Sequence, residues 1–379
     1  MKIVSIIGAR PQFVKSAVVS AALRKRHEEI LVHTGQHYDD NMSKVFFEDL
    51  SIPAPNVNLG IGSGGHGAMT GAMLAAIENV ILEQKPGAVL IYGDTNSTLA
   101  GALAASKLLV PLAHVEAGLR SFDKTMPEEQ NRICADHLSD ILFCPTQSAV
   151  DWLAAEGITS GVHNVGDVMY DVALHYGALA ETRYGNGGMK QLQKLYPDGP
   201  ELSKVSKWYL ATIHRAENTR TEDALGIILS AFERLPHPVV FPVHPRIRKL
   251  VDGLNGQYHY KNILFCEPVR YTLMSWLTRR AEKVLTDSGG LQKEAYMLGR
   301  PCVTLADTTS WVETRTGRWN MLTPVVTADE ILKNVLDITP DPMLHDPAKY
   351  YGDGHAAEKI AGLIDSIRFI RDRRTPPIA

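Results

Sequence analysis

Residues 286–295 read TDSGGLQKEA, directly after the apolar run AEKVL (281–285) and ahead of a further apolar stretch. A buried strand turns into a helix here, with two consecutive glycines, Gly289 and Gly290, at the changeover. Glycine costs a helix roughly 1 kcal/mol relative to alanine, so a pair needs a reason. A tight turn is one. The other is a close approach by a ligand. With Asp287 or Ser288 near the N-cap, the next amides have no acceptor within the helix, and the missing Cβ atoms let a phosphate reach that positive end. Such an end contributes about 0.3–1 kcal/mol when exposed and up to about 2 when partly buried, so a diphosphate requires cationic help. Arg10, Arg132, His214 and His244 are the candidates to supply it.

The same alternation of short β-rich runs and longer helical patterns extends in both directions. IVSII (3–7), EILVH (29–33), AVLIY (88–92), PLAHV (111–115) and ILFCP (141–145) form a first series. WYLAT (208–212), PVVFPV (238–243), ILFCE (263–267), KVLT (283–286) and PCVTL (301–305) form a second. This pattern predicts α/β architecture with two Rossmann-like, doubly wound parallel sheets, each covered by helices on both faces. The stretch from Ala178 to Lys207 holds GNGG and a YPDGP cluster and no sustained strand, so the domain change is placed near Val168. The N-terminal domain is then residues 1–168, joined by a C-terminal helical segment at 352–379, and the second is 169–351. In that last segment Ile360, Leu363, Ile364, Ile367 and Ile370 recur at helical spacing. GIGSGGHG (60–67) follows PAPNVN, read as a loop, and is therefore taken as a flexible connection and not as a dinucleotide fingerprint.

Polar clusters follow nearly every strand: GARPQFVK, TGQHYDD, GDTNST and EAGLRS in the first half, then IHRAEN, HPR and DSGG in the second. In parallel sheets these clusters lie at the carboxyl ends of strands, where ligands bind. Two domains facing each other across those ends would share one central cleft. Each residue also has a plainer reading. Asp94 can cap a helix, Glu116 can form an internal salt bridge, Glu128 and Glu129 suit the first turn of a helix, and His214 and His244 can be hydrogen-bonded core residues.

Bulk properties narrow the classes. A chain of 379 residues, 45% hydrophobic and 21% charged, exceeds one ordinary core, and its net charge of -3 gives no general reason to bind nucleic acid or an acidic membrane. Cys134, Cys144, Cys266 and Cys302 lack any CxxC spacing, which argues for reduced thiols in a cytoplasmic protein without a thiolate metal site. The opening KIVSIIG is too short for a signal core, and no later run approaches membrane-spanning length. No HExxH occurs and Ser288 lies outside any GxSxG elbow, so neither a metal site nor a hydrolase triad is expected.

Taken in order, GARPQFVKSA, GDTNSTLA, HVEAGLRS, MPEEQNR, IHRAEN, VHPR, TDSGGLQKEA and YGDGHAAEKI cover almost the whole chain. Together they resemble the non-hydrolysing UDP-N-acetylglucosamine 2-epimerase family. The resemblance implies a two-domain fold like that of GT-B glycosyltransferases, UDP in the cleft, a C-terminal helix returning to the first domain, and a homodimer. It implies basic residues at Arg10 and Lys15, functional carboxylates at Asp94, Glu116 and Glu128, and an active-site histidine at His214. Ser288, Gly289 and Gly290 would hold phosphate, and Glu294 the ribose hydroxyls. The implied reaction interconverts UDP-GlcNAc and UDP-ManNAc by eliminating UDP to a 2-acetamidoglucal and adding it back, with no cofactor. ADTTSWVE (306–313) departs from the RDTTERPE form of many relatives. It is similar to the branch acting on UDP-2,3-diacetamido-2,3-dideoxy-glucuronate, whose extra carboxylate Arg315 or Arg318 would meet. A hydrolysing 2-epimerase, a GT-B glycosyltransferase and a silent sugar-nucleotide sensor are the remaining alternatives.

Overall fold

The computed structural model describes residues 1–36, 49–50, 52–62, 64–195, 202, 205–309 and 311–369. The later part of TGQHYDD, Ser63, Ser310 and Ile370 lie outside them. The chain divides into two compact units, Met1–Val172 with the residues from Ala348 onward, and Ala173–Pro347.

The first unit is built on seven strands: β1 (Lys2–Ile7), β2 (Glu28–His33), β3 (Val57–Asn58), β4 (Ala88–Tyr92), β5 (Leu112–Val115), β6 (Ile141–Cys144) and β7 (Val162–Asn164). All pair in parallel, in the order β3-β2-β1-β4-β5-β6-β7. The second unit carries β8 (Tyr209–Thr212), β9 (Val239–Pro242), β10 (Ile263–Cys266), β11 (Lys283–Thr286), β12 (Cys302–Thr304) and β13 (Asn320–Leu322). They are parallel too, in the order β10-β9-β8-β11-β12-β13. Both sheets reverse strand order once, beside β1 and beside β8, which is the doubly wound arrangement expected from the alternation. The central strands are apolar on both faces: β4 is buried along its whole length, as a parallel strand covered by helices on both sides must be.

The ten strands read from sequence are all present. β3, β7 and β13 are additional, and each has only two or three residues, too few for a periodicity to register. β3 corrects one premise. The glycines of residues 60–67 do follow a strand, and helix His66–Gln84 opens directly after Gly65. The loop therefore has strand and helix around it, and the preceding strand is a two-residue edge that pairs only with β2.

The chain re-enters the first unit through a backbone crossing. Asp167 N–H donates to the Tyr351 carbonyl at 2.8 Å. Gly166 and Gly352 both have left-handed φ, 91° and 86°, and a Cβ on Gly166 would lie 2.7 Å from the Tyr351 oxygen. Beyond it, helix Ala356–Leu363 packs on helix Arg10–Leu23, burying Ala357, Ile360 and Ala361, and the 3-10 turn Ile364–Phe369 that follows buries Ile364 and Ile367. That helix has no side-chain cap of its own at His355. Asp171 serves instead, its carboxylate accepting from the Ala356 and Ala357 amides at 3.1 and 2.8 Å. Asp171→Ala is expected to destabilise the first unit by about 1–2 kcal/mol, and Asp171→Asn, which keeps one acceptor, by less. Urea unfolding of the two variants beside the parent measures both.

Candidate active site

Each unit carries polar side chains at its strand ends. In the first, Gln12 joins two loops. It is 1% exposed. Its Oε1 accepts from the Gly8 and Ala9 amides at 2.7 and 2.9 Å, and its Nε2 donates to the Tyr92 carbonyl at 2.7 Å and to the Thr95 and Thr98 hydroxyls, both at 3.0 Å. The turn after β1 is thereby tied to the turn after β4. Gly8 permits the contact, since a Cβ there would overlap the hydroxyl oxygens of Ser97 and Thr34 at 2.1 and 2.2 Å.

One turn along the same helix, Lys15 forms an ion pair with Glu116, and both side chains are largely buried. Gly93 beside them has a left-handed φ of 59°, and a Cβ on it would make only ordinary contacts, 3.7 Å from Lys15 Nζ and 3.8 Å from Glu116 Oε1. Glu116 itself is held at a φ of 69°, a conformation that costs a non-glycine residue roughly 1 kcal/mol or more. The Glu116 and Ala117 amides both donate to the Phe143 carbonyl at 3.1 Å, which sustains the strained turn.

Asp94 is not the cap of the helix that follows. Thr95 takes that role, accepting from the Thr98 amide. The Asp94 carboxylate instead meets Arg132, whose Nη2 lies 2.7 Å from Asp94 Oδ2 while Nη1 lies 2.7 Å from Glu129 Oε2. The two glutamates of MPEEQNR are thus separated in role. Glu129 is buried and accepts from the Ser121 and Phe122 amides, both at 2.9 Å, whereas Glu128 is exposed on the first turn of helix Pro127–Leu138. Burial works to raise the Glu129 carboxyl, but these hydrogen bonds and Arg132 outweigh it and hold it below the usual range. Arg10 is half-buried at the start of helix Arg10–Leu23.

Behind this group, His114 bridges Asp136 and the Gly93 carbonyl, with 2.7 Å on either side. Asp136 also accepts from the Gly118 amide at 3.1 Å and from Arg120 at 2.6 Å. Burial again pushes the Asp136 carboxyl up, and His114 and Arg120 together bring it below its ordinary value.

In the second unit the fully buried Asp287 collects donors. Its carboxylate accepts from the His214 amide at 3.1 Å, the Arg215 amide at 2.9 Å and Asn218 Nδ2 at 3.1 Å. His214 is consequently fixed at the strand end and half-exposed, not a core residue. Its ring lies 5.8 Å from that of His244, and His244 Nδ1 accepts from the Arg246 amide, capping the short helix Pro245–Ile247. Ser288 is the N-cap of helix Gly289–Met297, accepting from the Leu291 amide.

Neither glycine of the pair has a left-handed φ. A Cβ on Gly290 would meet nothing closer than Ser288 Oγ at 3.8 Å, and one on Gly289 nothing closer than Trp311 Nε1 at 3.5 Å. Conformation and packing therefore make no demand for glycine at either position, and the tight-turn explanation falls away. Glu294, on the same helix, is buried, accepts from Tyr271 and is pushed up to about 7 by that burial, with Lys293 opposing.

The first unit thus brings together Lys15 and Glu116, and Asp94 with Arg132. The second brings together His214, His244, Ser288 and the glycine pair. Gln12, His114, Asp136 and Lys293 were not singled out from sequence. The available signal was polarity where the surrounding run is apolar, as with His114 in LAHV (112–115). Among the described residues no group of three or more His, Cys, Asp or Glu gathers as a metal would require, and no helix is long and apolar enough to cross a membrane. Cys144, Cys266 and Cys302 are buried and pushed up to about 12, which leaves them inert as nucleophiles.

The sequence profile of the UDP-N-acetylglucosamine 2-epimerase family matches residues 21–365. A UDP-N-acetylglucosamine 2-epimerase homolog of Methanococcus maripaludis is 49% identical over 97% of this chain and 100% of its own. The UDP-2,3-diacetamido-2,3-dideoxy-D-glucuronate 2-epimerase of Pseudomonas aeruginosa is 48% identical over 95% of this chain and 98% of its own. The crystal structure of Methanocaldococcus jannaschii UDP-GlcNAc 2-epimerase in complex with UDP-GlcNAc and UDP superposes with a TM-score of 0.81, at 38% identity, over 97% of this chain and 100% of that one.

Glu294 gives a stability test whose sign is determined by its shift. Its folded-state value, about 7, lies above the ordinary 4.5, so the folded protein favours the neutral acid. Below both values the group costs nothing; as pH rises through that window, the parent loses stability relative to Glu294→Gln, by a total on the order of 3 kcal/mol. Urea unfolding of parent and variant at several pH values across the window measures the difference.

Proposed function

Since the chain belongs to the UDP-N-acetylglucosamine 2-epimerase family, we propose that it inverts C2 of a UDP-2-acetamido sugar without hydrolysing it, UDP-GlcNAc and UDP-ManNAc being the pair interconverted. The observation that carries the reading is the open first turn at Gly289 and Gly290. The fold itself has no use for glycine there, whereas a diphosphate does.

The chemistry explains why carboxylates and a diphosphate site belong to one enzyme. C2–H in the resting sugar has no adjacent carbonyl, so an ordinary base cannot remove it readily. When the bond from C1 to the UDP oxygen stretches, the ring gains oxocarbenium character and that proton becomes acidic. A base takes it, the C–H electrons form the C1–C2 double bond, and UDP leaves with the C1–O electrons. Protonation of C2 on the opposite face and return of UDP to C1 give the epimer. The Ser288-capped helix end steadies the departing diphosphate, aided by His214 and His244, and Glu294 accepts from the ribose hydroxyls. Asp94, Glu116 and Glu128 share removal and return of the proton. Lys15 and Arg132 hold Glu116 and Asp94 in place through their ion pairs. No cofactor enters this scheme, and a cytoplasmic homodimer is part of the same reading.

A second reading differs only in the sugar. The 48% identity to the diacetamido-glucuronate 2-epimerase, with Trp311 where many relatives carry arginine, favours a donor bearing a second acetamido group and a carboxylate.

Incubation of each UDP-sugar in deuterated water, followed by NMR, separates the readings. Deuterium at C2 with UDP still attached is expected for the true donor; free sugar plus UDP would make the enzyme hydrolytic, and C2 inversion without exchange would exclude elimination. Asp94→Asn and Glu116→Gln are each expected to lower kcat by about 10²–10⁴ while leaving UDP binding intact. Full turnover in the double variant would remove both from the mechanism.

A further inference from the structure

We propose that His114 is a positioning residue that sets Asp94 against Glu116, one of its ring nitrogens donating to the Gly93 carbonyl and the other to Asp136. The inference rests on the reading above, in which those two carboxylates act on the C2 proton, and adds to it the group that fixes one relative to the other.

His114 is fully buried on β5, two residues ahead of Glu116, and its ring reaches the end of the neighbouring strand β4. Nε2 lies 2.7 Å from the carbonyl oxygen of Gly93, in the peptide that joins Gly93 to Asp94. The link is reciprocal, because the Gly93 amide donates to the Val115 carbonyl at 2.9 Å. The turn leading into Asp94 is thus fastened from both sides to the strand leading into Glu116. The flanking carbonyls are held as well: that of Tyr92 accepts from Gln12 at 2.7 Å and from the Thr98 hydroxyl at 2.6 Å, and that of Asp94 accepts from Asn131 at 2.9 Å. Gln12, Thr98, His114 and Asn131 are all buried, and of these His114 is the one that belongs to the strand carrying on to Glu116. The fastened turn also lies beside the Lys15–Glu116 pair, which a Cβ on Gly93 would touch at 3.7 and 3.8 Å.

The far side of the ring is anchored to Asp136 Oδ1 at 2.7 Å, while Asp136 Oδ2 accepts from the Gly118 amide and from Arg120. A peptide carbonyl and a carboxylate engaged in this way only accept, so both ring nitrogens of His114 donate. Packing alone does not call for such a group. The side chains of His114, Asp136 and Arg120 are at most 1% exposed, and replacing a buried ionic cluster by apolar residues of similar volume is often neutral or stabilising. What apolar packing cannot supply is a donor held at a fixed distance from the Gly93 carbonyl. Inversion at C2 needs one group to take the proton from one face and another to return it to the opposite face, so the relative placement of the two carboxylates controls the outcome.

The test compares the parent with His114→Phe, which keeps a ring but no donor, and with His114→Gln, which keeps an N–H. Turnover of the UDP-sugar that the parent accepts is followed by NMR in deuterated water and expressed per folded molecule, the folded fraction being read by circular dichroism. In His114→Phe kcat is expected to fall about 10²-fold with UDP affinity by calorimetry unchanged, and His114→Gln is expected to recover part of the loss. The partition of C2 deuterium between returned substrate and epimer is expected to move away from the parental ratio in both variants, a change that lowered stability alone does not produce. If the phenylalanine variant does not fold, the partition in His114→Gln decides. Parental kcat per folded molecule in His114→Phe, or a parental partition in either folded variant, would overturn the role of His114 and leave the assignment of Asp94 and Glu116 standing. Full turnover in the Asp94→Asn, Glu116→Gln double variant would overturn that assignment and this inference with it.

Discussion

A parallel sheet leaves the peptide groups of the loops beyond its strand ends without ladder partners, and buried carboxylates answer that constraint in this protein. Asp287 gathers two amides and an asparagine from the loop after β8, Asp136 gathers His114, Gly118 and Arg120, and Glu129 gathers the Ser121 and Phe122 amides with Arg132. Asp171 does the same for the first amides of the returning helix. An unmet donor in such positions would cost about 1–3 kcal/mol, and there are several in each loop. The carboxylates therefore determine the paths of the loops, among them those that carry Glu116 and His214.

The arrangement separates two kinds of acidic residue. Asp136, Asp287 and Glu129 spend their oxygens on protein donors and are structural. Asp94 and Glu116 instead form ion pairs with basic side chains, Arg132 and Lys15. The left-handed backbone at Glu116 belongs to the same logic, since local strain persists only where surrounding bonds, here both amides on the Phe143 carbonyl, over-determine it.

Much of this was legible in the linear chain. Strand and helix alternation specified two doubly wound parallel sheets, because a strand covered on both faces must be apolar throughout and its crossover must be a helix. The glycine pair in TDSGGLQKEA pointed to a ligand because glycine is costly in a helix, and the structure removed the competing explanation by showing ordinary φ and free space. The short strands β3 and β7 escaped notice, since two or three residues carry no period.

What the sequence by itself determined was the class of fold and the places where chemistry gathers, as these follow from periodicity and from residue type at strand ends. Only the tertiary structure decided which acid is exposed and which enclosed, as with Glu128 and Glu129, and which residue caps a helix, as with Asp94 and Thr95. It alone brought Trp311 over Gly289. The reason is physical: a side chain's role depends on its nearest donors and acceptors, and for Gln12 and Tyr92, 80 positions apart in the chain, these are set by packing and not by order.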